Sequence, residues 1–318
     1  MTATDVLLAV ALDAAIGDPR ALPHPVRAIG AVIAWSDRRV RSVCRSAGGL
    51  RIAGVVVALA IPAASYLVAA SAIEQAATIS SRFGQGVAIG LAFTTLAGRD
   101  LLDHALAVSR ELRTGNLPGA RQAVAMIVGR DTEGMAEPEI VRATVETVAE
   151  STADGVIAPL LYLAVGGAPL ALAYKAVNTL DSMIGHREAH YEQFGWASAR
   201  LDDLANWVPA RAAAGLIVAA AGATTGQWQP MRDSWRILFR DGHRHPSPNS
   251  GRPEAAMAGA LGVQLGGVNY YDGEAQERPL MGDHRRTLRP TDITIASRIM
   301  LVTYGLGLLL ALTVRWLS

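Results

Sequence analysis

Apolar and polar stretches alternate along this chain. The apolar stretches are roughly 15 to 25 residues long, close to the ~20 residues that an α-helix needs to cross a lipid bilayer. They lie at about 5–35, 50–73, 84–98, 155–173, 208–225 and 292–317, with polar segments between them. This pattern predicts a mainly α-helical, polytopic integral membrane protein with a single domain over residues 1–318. It leaves strands open in residues 226–291.

Helix breakers interrupt two of the apolar stretches. The first contains GDPR and PHP within residues 17–25, which predicts two half-helices around a turn. The stretch 155–173 contains four breakers: Pro159, Gly166, Gly167 and Pro169. A full crossing there would place the polar segment that follows on the opposite side of the membrane from the other polar loops. We therefore predict that 155–173 is re-entrant or bent, with its irregular backbone buried in protein or lining a cavity.

The distribution of arginine predicts the orientation in the membrane. Arginines cluster between residues 38 and 51, and the loops 99–153 and 226–291 are also rich in them. Positively charged loops of membrane proteins tend to face the cytoplasm. We expect a multi-pass protein of the cytoplasmic membrane whose active-site loops face the cytoplasm.

Composition supports the same class of protein. Hydrophobic residues make up 51% of the chain and charged residues 18%, with a mean hydropathy of +0.25, which is too apolar for most soluble domains of this size. The net charge of +1 and the dispersed arginines argue against a nucleic-acid surface. Cys44 is the only cysteine, so an intramolecular disulfide and a thiolate metal cluster are excluded.

The segment 174–207 is the densest in polar groups and lies between two apolar stretches. Unpaired polar groups at membrane depth cost several kcal/mol, so this concentration predicts a functional site. Two helical stripes hold its side chains: Lys175, Asn178, Asp181 and Ser182 in one, and Asp202, Asp203 and Asn206 in the other. Helix caps and hydrogen bonds between helices are the alternative explanation. His186 and His190 have zinc-ligand spacing, but without an HExxH pattern we expect polar contacts there.

An acidic helix face is predicted just before the stretch 155–173. Glu146, Glu150 and Asp154 recur at four-residue steps, so a helix places them on one face, where their oxygens can bind Mg²⁺. A solvated face with an ordinary Arg142–Glu146 ion pair is the alternative. The nearby run VGRDT at residues 128–132 supplies Arg130 and Asp131, which favours a phosphate contact beside a metal.

The run HRHPSPNSGRPE at residues 243–254 is basic and rich in proline and glycine. Ser247, Asn249 and Arg252 are hydrogen-bond donors on a backbone restrained by three prolines, which is suited to an anion such as phosphate. A simple connection between helices is the alternative.

These segments form an ordered series that resembles a known family. The series is LDAAIGDPRALPHPVRAIG, VGRDTEGM, ETVAESTADGVIAPLLY, AYKAVNTLDSMIGHR, FGWASARLDDLANWVPAR and SPNSGRPEAAMAGALGVQLGG. It resembles the motifs of the CobD/CbiB family, the adenosylcobinamide-phosphate synthases of cobalamin biosynthesis. The resemblance covers Leu12 to about Gly267. Each motif alone is weak, but their order and spacing are specific.

The resemblance implies an ATP- and Mg²⁺-dependent amide ligase in the cytoplasmic membrane. Such enzymes join a propionate carboxylate of adenosylcobyric acid to (R)-1-aminopropan-2-ol phosphate and form adenosylcobinamide phosphate. By chemical analogy we expect an acyl-phosphate intermediate, with an acyl-adenylate as the alternative. Besides these substrates and the bilayer, the resemblance leaves other membrane-bound cobalamin-pathway enzymes and a second copy of the chain open as partners.

Roles for individual residues follow from the resemblance. The expected catalytic residues are Glu146, Glu150, Asp181, Lys175 and Asp202. The expected substrate and phosphate contacts are Asp13, Asp18, His24, Arg130, Asp131, Asn178, Arg187, Asp203, Asn206, Ser247, Asn249 and Arg252. The expected Mg²⁺ ligands are Glu146, Glu150 and Asp154. For Asp18, capping of a helix is the alternative role.

Other function classes stay open because the chain has no GxxxxGK[ST] phosphate loop. A Mg²⁺-dependent membrane prenyl- or phospho-transferase could use NTLD and DDLAN as a diphosphate clamp, although the second run lacks the usual DxxxD spacing. A non-catalytic sensor or scaffold of the same fold is the other alternative. A transporter is less compatible, since the polar residues cluster in loops rather than within the spans.

Overall fold

Helices dominate the computed structural model, which describes residues 1–18, 24–185 and 190–317. The helices are α1 (Ala3–Ile16), α2 (Pro25–Val43), α3 (Ala47–Ile79), α4 (Ser81–Phe93), α5 (Gly98–Arg113), α6 (Leu117–Ala125), α7 (Glu137–Ser151), α8 (Ala158–Ile184), α9 (Trp196–Ala205), α10 (Trp207–Thr225), α11 (Trp228–Asp241), α12 (Gly251–Leu261) and α13 (Pro290–Leu317). A π-helical segment, Thr152–Ile157, joins α7 to α8, and strands β1 (Gln264–Tyr271) and β2 (Glu274–Gly282) follow α12.

The predicted fold class is confirmed. Among the described residues, four helical segments are long and apolar enough to cross a membrane: Ala47–Ile79, Glu137–Ile184, Trp207–Thr225 and Pro290–Leu317. The third and fourth coincide closely with the predicted apolar stretches 208–225 and 292–317. The protein is therefore a mainly α-helical, polytopic membrane protein.

The chain forms two compact units. The first unit consists of Met1–Ala97, Ala158–Asn206 and Leu308–Ser318, and the second of Gly98–Ile157 and Trp207–Gly307. The single domain expected over residues 1–318 stays a prediction.

In the first unit, α3 packs against α4 and α8 around a small apolar core. Ile33, Leu180 and Phe194 are among its buried side chains. Gly54 of α3 lies directly against the backbone carbonyl of Phe194, with which a Cβ at position 54 would collide. The absence of a side chain at Gly54 therefore lets the 190–195 turn pack onto α3.

Both predicted helix breaks are present in the first unit. Helix α1 ends at Ile16, where Gly17 has a φ of 67°, and α2 starts at Pro25. Within α8, Gly167 has φ 69° and ψ −165°, which interrupts the helix two residues before Pro169. Almost only glycine adopts this backbone conformation. The bend predicted for 155–173 is confirmed, and its re-entrant path stays a prediction.

In the second unit, α7, α10 and α12 enclose a large apolar core, which includes Ile140, Ile217, Met257 and Leu265. Strands β1 and β2 form an antiparallel hairpin that pairs Gln264 with Gly282 at one end and Tyr271 with Glu274 at the other. The two turn residues, Asp272 and Gly273, both have positive φ, as a type I′ turn requires. The strands lie within the range that the sequence left open.

Helix α11 is tied to the end of the hairpin by ion pairs. Arg240 contacts Asp241 and Asp283 at 2.6 and 2.7 Å, and Arg285 contacts Asp233 at 2.7 Å. Hydrogen bonds from Arg240 and then Arg236 hold the pKa of Asp283 below its ordinary value. These side chains neutralise each other, so the network stabilises the second unit.

Candidate functional site

A cavity of about 120 Å³ in the second unit is lined almost entirely by polar and charged side chains. Its charged and imidazole groups are Arg130, Glu146, Glu150, His245, Glu254 and Arg278. They come from the 126–136 loop, α7, the loop before α12, α12 itself and β2. The sequence separates these groups widely, and the fold brings them to one place.

Helix α7 supplies two of the carboxylates because of their spacing. Pro138 is in the first turn, and Glu139 accepts a hydrogen bond from the backbone N–H of Ala136 at 2.7 Å, which fixes the start of the helix. Glu146 and Glu150 are four residues apart and therefore share a face. Asp154, the third predicted Mg²⁺ ligand, lies in the π-helical segment and does not line this cavity.

Glu146 is held from several sides. Its Oε2 accepts a hydrogen bond from Arg130 at 2.7 Å, and its Oε1 accepts one from the Gly266 backbone N–H at 2.8 Å. Arg142 adds an ion pair at 3.5 Å and also donates to the backbone oxygens of Gly266 and Val268. Since both carboxylate oxygens already have partners, Glu146 anchors strand β1 to α7.

Glu150 is held at one oxygen. Ser250 Oγ, at the start of α12, donates to Glu150 Oε1 at 2.7 Å. Ser247 Oγ accepts from the backbone N–H groups of Asn249 and Ser250 at 3.2 and 3.3 Å, which shapes the loop that carries Ser250. The sequence predicts that Ser247 contacts phosphate. In the structure its hydroxyl positions Ser250, the residue that holds Glu150.

His245 and Glu254 add two titratable groups to the cavity. His245 Nδ1 accepts from the Ser247 backbone N–H at 3.0 Å, and burial lowers the pKa of its imidazole. The neutral ring is thus left with its proton on Nε2. Burial and then the charges of Glu146 and Glu150 raise the pKa of Glu254 well above its ordinary value. Within the described residues, the Glu254 carboxyl has no hydrogen-bond partner.

The donor set fits a hard divalent cation bound together with phosphate. Glu150 has one carboxylate oxygen without a side-chain partner in the described part of the chain, and the pKa of Glu254 is raised by burial and by its acidic neighbours. No group of three or more His, Cys, Asp or Glu among the described residues is arranged to hold a metal by itself. Mg²⁺, however, commonly binds one or two carboxylates plus substrate phosphates and water. The site predicted at Glu146, Glu150 and Asp154 stays a prediction, and the geometry favours Glu150 and Glu254.

The two residues of the VGRDT run have different positions. Arg130 lines the cavity and donates to Asn269 Oδ1 at 2.7 Å as well as to Glu146. Asp131 instead holds the hairpin, since its N–H donates to the Tyr270 carbonyl and its Oδ2 accepts from the Gly273 N–H, both at 2.8 Å. Asp131 thereby fixes the strand that carries Asn269.

The first unit contains a separate polar cluster, and it unites most of the predicted residues of segment 174–207. Asn206 donates to Asp202 at 2.9 Å and accepts from Tyr174 at 2.8 Å, while Lys175 donates to Asn178 at 3.3 Å. Burial, followed by the charge of Asp181, raises the pKa of Asp202 to about 7, against hydrogen bonds from Asn206 and Asn178. A carboxyl with this pKa can gain or lose a proton near neutral pH.

The other predicted residues of the first unit lie at several places. Asp13 is buried in α1, and Asp203 pairs with Arg200 at 3.5 Å. Asp18 lies 3.7 Å from His24 and 3.5 Å from Arg27, in an ion-pair group between α1 and α2. Arg187 and His186 lie outside the described residues.

The remaining two predicted phosphate contacts belong to the second unit. Asn249 is buried, with its Oδ1 3.5 Å from Arg211 Nη1. Arg252 is in the first turn of α12, and its Nε is buried without a hydrogen-bond partner among the described residues.

Sequence reasoning missed Glu254, Asn269, Arg278 and Arg211 as site residues. Glu254 ends the run SPNSGRPE and could have been included with it. Asn269 and Arg278 carry no local signal, because only the pairing of β1 with β2 brings them to the cavity.

Comparison with known proteins gives a consistent result. The family model described as "CobD/Cbib protein" matches residues 6–300. "Cobalamin biosynthesis protein CobD" of Geobacter metallireducens is 48% identical over 307 residues, which cover 96% of this chain and 94% of that protein. "Cobalamin biosynthesis protein CbiB" of Salmonella typhimurium is 45% identical over 316 residues, which cover 99% of this chain and 98% of that protein. No solved structure matches the chain.

Proposed function

Because the chain belongs to the CobD/CbiB family, we propose that it works in cobalamin biosynthesis as an adenosylcobinamide-phosphate synthase. The names of its relatives support the pathway. The reaction we propose is an ATP-dependent ligation of a propionate carboxylate of adenosylcobyric acid to the amine of (R)-1-aminopropan-2-ol phosphate. The protein would act in the cytoplasmic membrane. Its site would face the cytoplasm, where ATP is available.

The observation that carries this proposal is the cavity lined by Glu150 and Glu254 together with Arg130 and Arg278. Carboxylates suited to Mg²⁺ beside guanidinium groups suited to phosphate are the donor set that phosphoryl transfer from ATP needs. An amide ligase needs such a transfer, since a carboxylate and an ammonium do not condense spontaneously in water.

In the proposed reaction, an oxygen of the substrate carboxylate attacks the γ-phosphorus of ATP, and ADP leaves. The free amine then attacks the acyl carbon, phosphate leaves, and the amine loses a proton as the amide forms. Arg130 and Arg278 stabilise negative charge on the transferring phosphoryl, and the Nε2–H of His245 is placed to donate to an anionic oxygen. Glu150 and Glu254 would hold Mg²⁺, which when bound neutralises phosphate charge.

The proposed roles of Lys175, Asp181 and Asp202 belong to the cluster in the first unit. A carboxyl with a pKa of about 7, as at Asp202, is suited to take up a proton from an amine at neutral pH. Lys175, within hydrogen-bond distance of Asn178, supplies a positive charge that suits a substrate phosphate or carboxylate.

A turnover assay tests the proposal. Purified protein in detergent is incubated with adenosylcobyric acid, aminopropanol phosphate and Mg²⁺-ATP, and products are identified by mass spectrometry while each component is omitted in turn. We expect adenosylcobinamide phosphate only in the complete mixture, with release of ADP; release of AMP would indicate an acyl-adenylate instead. Corrinoid binding without product would favour a scaffold, and loss of both would favour a Mg²⁺-dependent prenyl- or phospho-transferase.

A further inference from the structure

Arg211 is fixed at the start of α10 by its neighbour one turn earlier. Its Nη1 donates to the Trp207 backbone oxygen at 2.6 Å, and its guanidinium lies 4.0 Å from the centre of the Trp207 ring. Stacking on the indole restrains the plane of the guanidinium. The charge of Arg211 therefore has a defined position, although it lies in a helix that is apolar enough to span a membrane.

Arg252 lies close to Arg211 and is poorly satisfied. Its charge acts on that of Arg211, and Asn249 contacts both residues: its side-chain Oδ1 lies 3.5 Å from Arg211 Nη1, and its backbone carbonyl accepts from the Arg252 backbone N–H at 3.1 Å. The Nε of Arg252 is buried without a partner in the described part of the chain. A positive charge in the first turn of a helix is also disfavoured by the helix dipole.

Among the described residues, neither Arg211 nor Arg252 forms an ion pair with a carboxylate. The positive charge of these two neighbouring guanidiniums is therefore not neutralised. Such an arrangement costs free energy unless an anion binds there. Backbone N–H groups at the start of a helix and the forked donors of arginine both suit phosphate oxygens. The sequence predicts an anion contact at Ser247, Asn249 and Arg252, and the structure adds Arg211 to Asn249 and Arg252.

We propose that Arg211 and Arg252 together bind the phosphate group of a phosphorylated ligand. The inference that this phosphorylated ligand is a substrate rests on the proposed function, in which both ATP and the amine donor carry phosphate. Ser250 of the same loop contacts Glu150, so the loop connects this anion site to the carboxylate-lined cavity. A phospholipid headgroup carries the same chemistry and is distinguished experimentally.

Titration of inorganic phosphate into the purified full-length protein by isothermal calorimetry tests the site. We expect binding that weakens at least about tenfold in Arg211→Gln and in Arg252→Gln, the loss expected for a charge-assisted hydrogen bond. The control Arg113→Gln, an exposed arginine in α5 of the same unit, should bind as the wild type does. Arg211→Lys and Arg252→Lys keep the positive charge but lose the forked N–H donors of the guanidinium, and should bind phosphate with intermediate affinity. Absence of phosphate binding in the wild type, or unchanged binding in the glutamine variants, overturns the proposal.

Two further experiments identify which molecule supplies the phosphate group. In the ligase assay, the glutamine variants should raise KM for either aminopropanol phosphate or ATP, which names the bound substrate. In nanodiscs, competition of phosphatidic acid with inorganic phosphate would point to a lipid headgroup. Because the calorimetry needs no turnover, phosphate binding that depends on both arginines in a protein without ligase activity would support the site and contradict the proposed function.

Discussion

Ser250 Oγ donates a hydrogen bond to Glu150 Oε1 at 2.7 Å, and it joins two residues that are 100 positions apart in the chain. The contact orients one oxygen of Glu150, a residue that lines the cavity, and the other oxygen has no side-chain partner among the described residues. It also holds the 243–250 loop against α7. The two predicted segments that looked like separate metal and phosphate motifs are therefore parts of one arrangement in the second unit.

Glu150→Gln should abolish turnover while leaving expression and stability in detergent intact. The amide keeps the shape of the side chain and can still pair with Ser250, but it cannot bind a cation as a carboxylate does. Product formation and the thermal unfolding midpoint are measured side by side. The matched control is Glu137→Gln, an exposed residue of the same helix; normal activity in Glu150→Gln would remove Glu150 from the site.

Glu146→Ala should destabilise the second unit by about 3–5 kcal/mol, because it leaves the largely buried guanidinium of Arg130 without its acidic partner. The Gly266 N–H would also lose its acceptor. Denaturant unfolding measures the change, and Glu139→Ala, which removes only a helix cap, should cost nearer 1 kcal/mol. Equal stabilities would contradict the anchoring role of Glu146.

Glu254→Gln should fold with near wild-type stability but lose stabilisation by Mg²⁺-ATP. The raised pKa favours the protonated form of the Glu254 carboxyl in the free protein, and a neutral amide resembles that form. Cation binding requires the deprotonated form, which glutamine lacks. Thermal unfolding with and without Mg²⁺-ATP checks this, and an undiminished Mg²⁺-ATP shift would exclude Glu254 as a ligand.

Asp202→Asn should flatten the pH dependence of stability between about pH 4 and pH 7. In the folded protein the pKa of Asp202 is about 7, compared with 3.8 as its ordinary value. Over that window the folded state holds a proton that the unfolded chain has released, so wild-type stability falls as pH rises. Unfolding midpoints across the window are compared with those of the exposed-residue variant Glu192→Gln. A wild-type curve that rises through this window would contradict the prediction.

Gly167→Ala should destabilise the protein by about 1–3 kcal/mol, because its φ of 69° with ψ −165° is strained for any residue with a Cβ. Gly90→Ala in α4 is the control, since nothing lies within 4 Å of a Cβ at that position. Alanine there should be neutral or stabilise by up to about 1 kcal/mol. Thermal unfolding in detergent compares the two, and equal effects would show that the backbone at Gly167 is not constrained.

Local chemistry made part of the fold predictable. Gly17, Pro25 and Gly167 mark breaks because glycine and proline act on their own backbone, and these breaks appear where the sequence indicated them. In contrast, α3 continues to Ile79, beyond the end of the predicted apolar stretch at residue 73, because the hydrophobic pattern stops at Glu74 whereas a helix can continue through polar residues.

The site was less predictable because it depends on distant contacts. The four-residue spacing correctly placed Glu146 and Glu150 together, but it assumed an α-helix at Asp154, where the chain is π-helical and makes wider turns. Glu254 reaches the same cavity from more than 100 residues away. No rule of sequence spacing connects Glu254 with Glu150. Only the tertiary packing of α12 on α7 brings them together.

Lys175 lies beside Asn178 in the polar cluster of the first unit, and it is the only lysine in the chain. Apart from the terminal α-amino group, an amine-selective reagent therefore has a single target. The stoichiometry of acylation, read from one arginine-bounded peptide by mass spectrometry, becomes a direct footprint of that cluster. The native sequence thus carries its own reporter, and ligand protection can be followed without introducing any substitution.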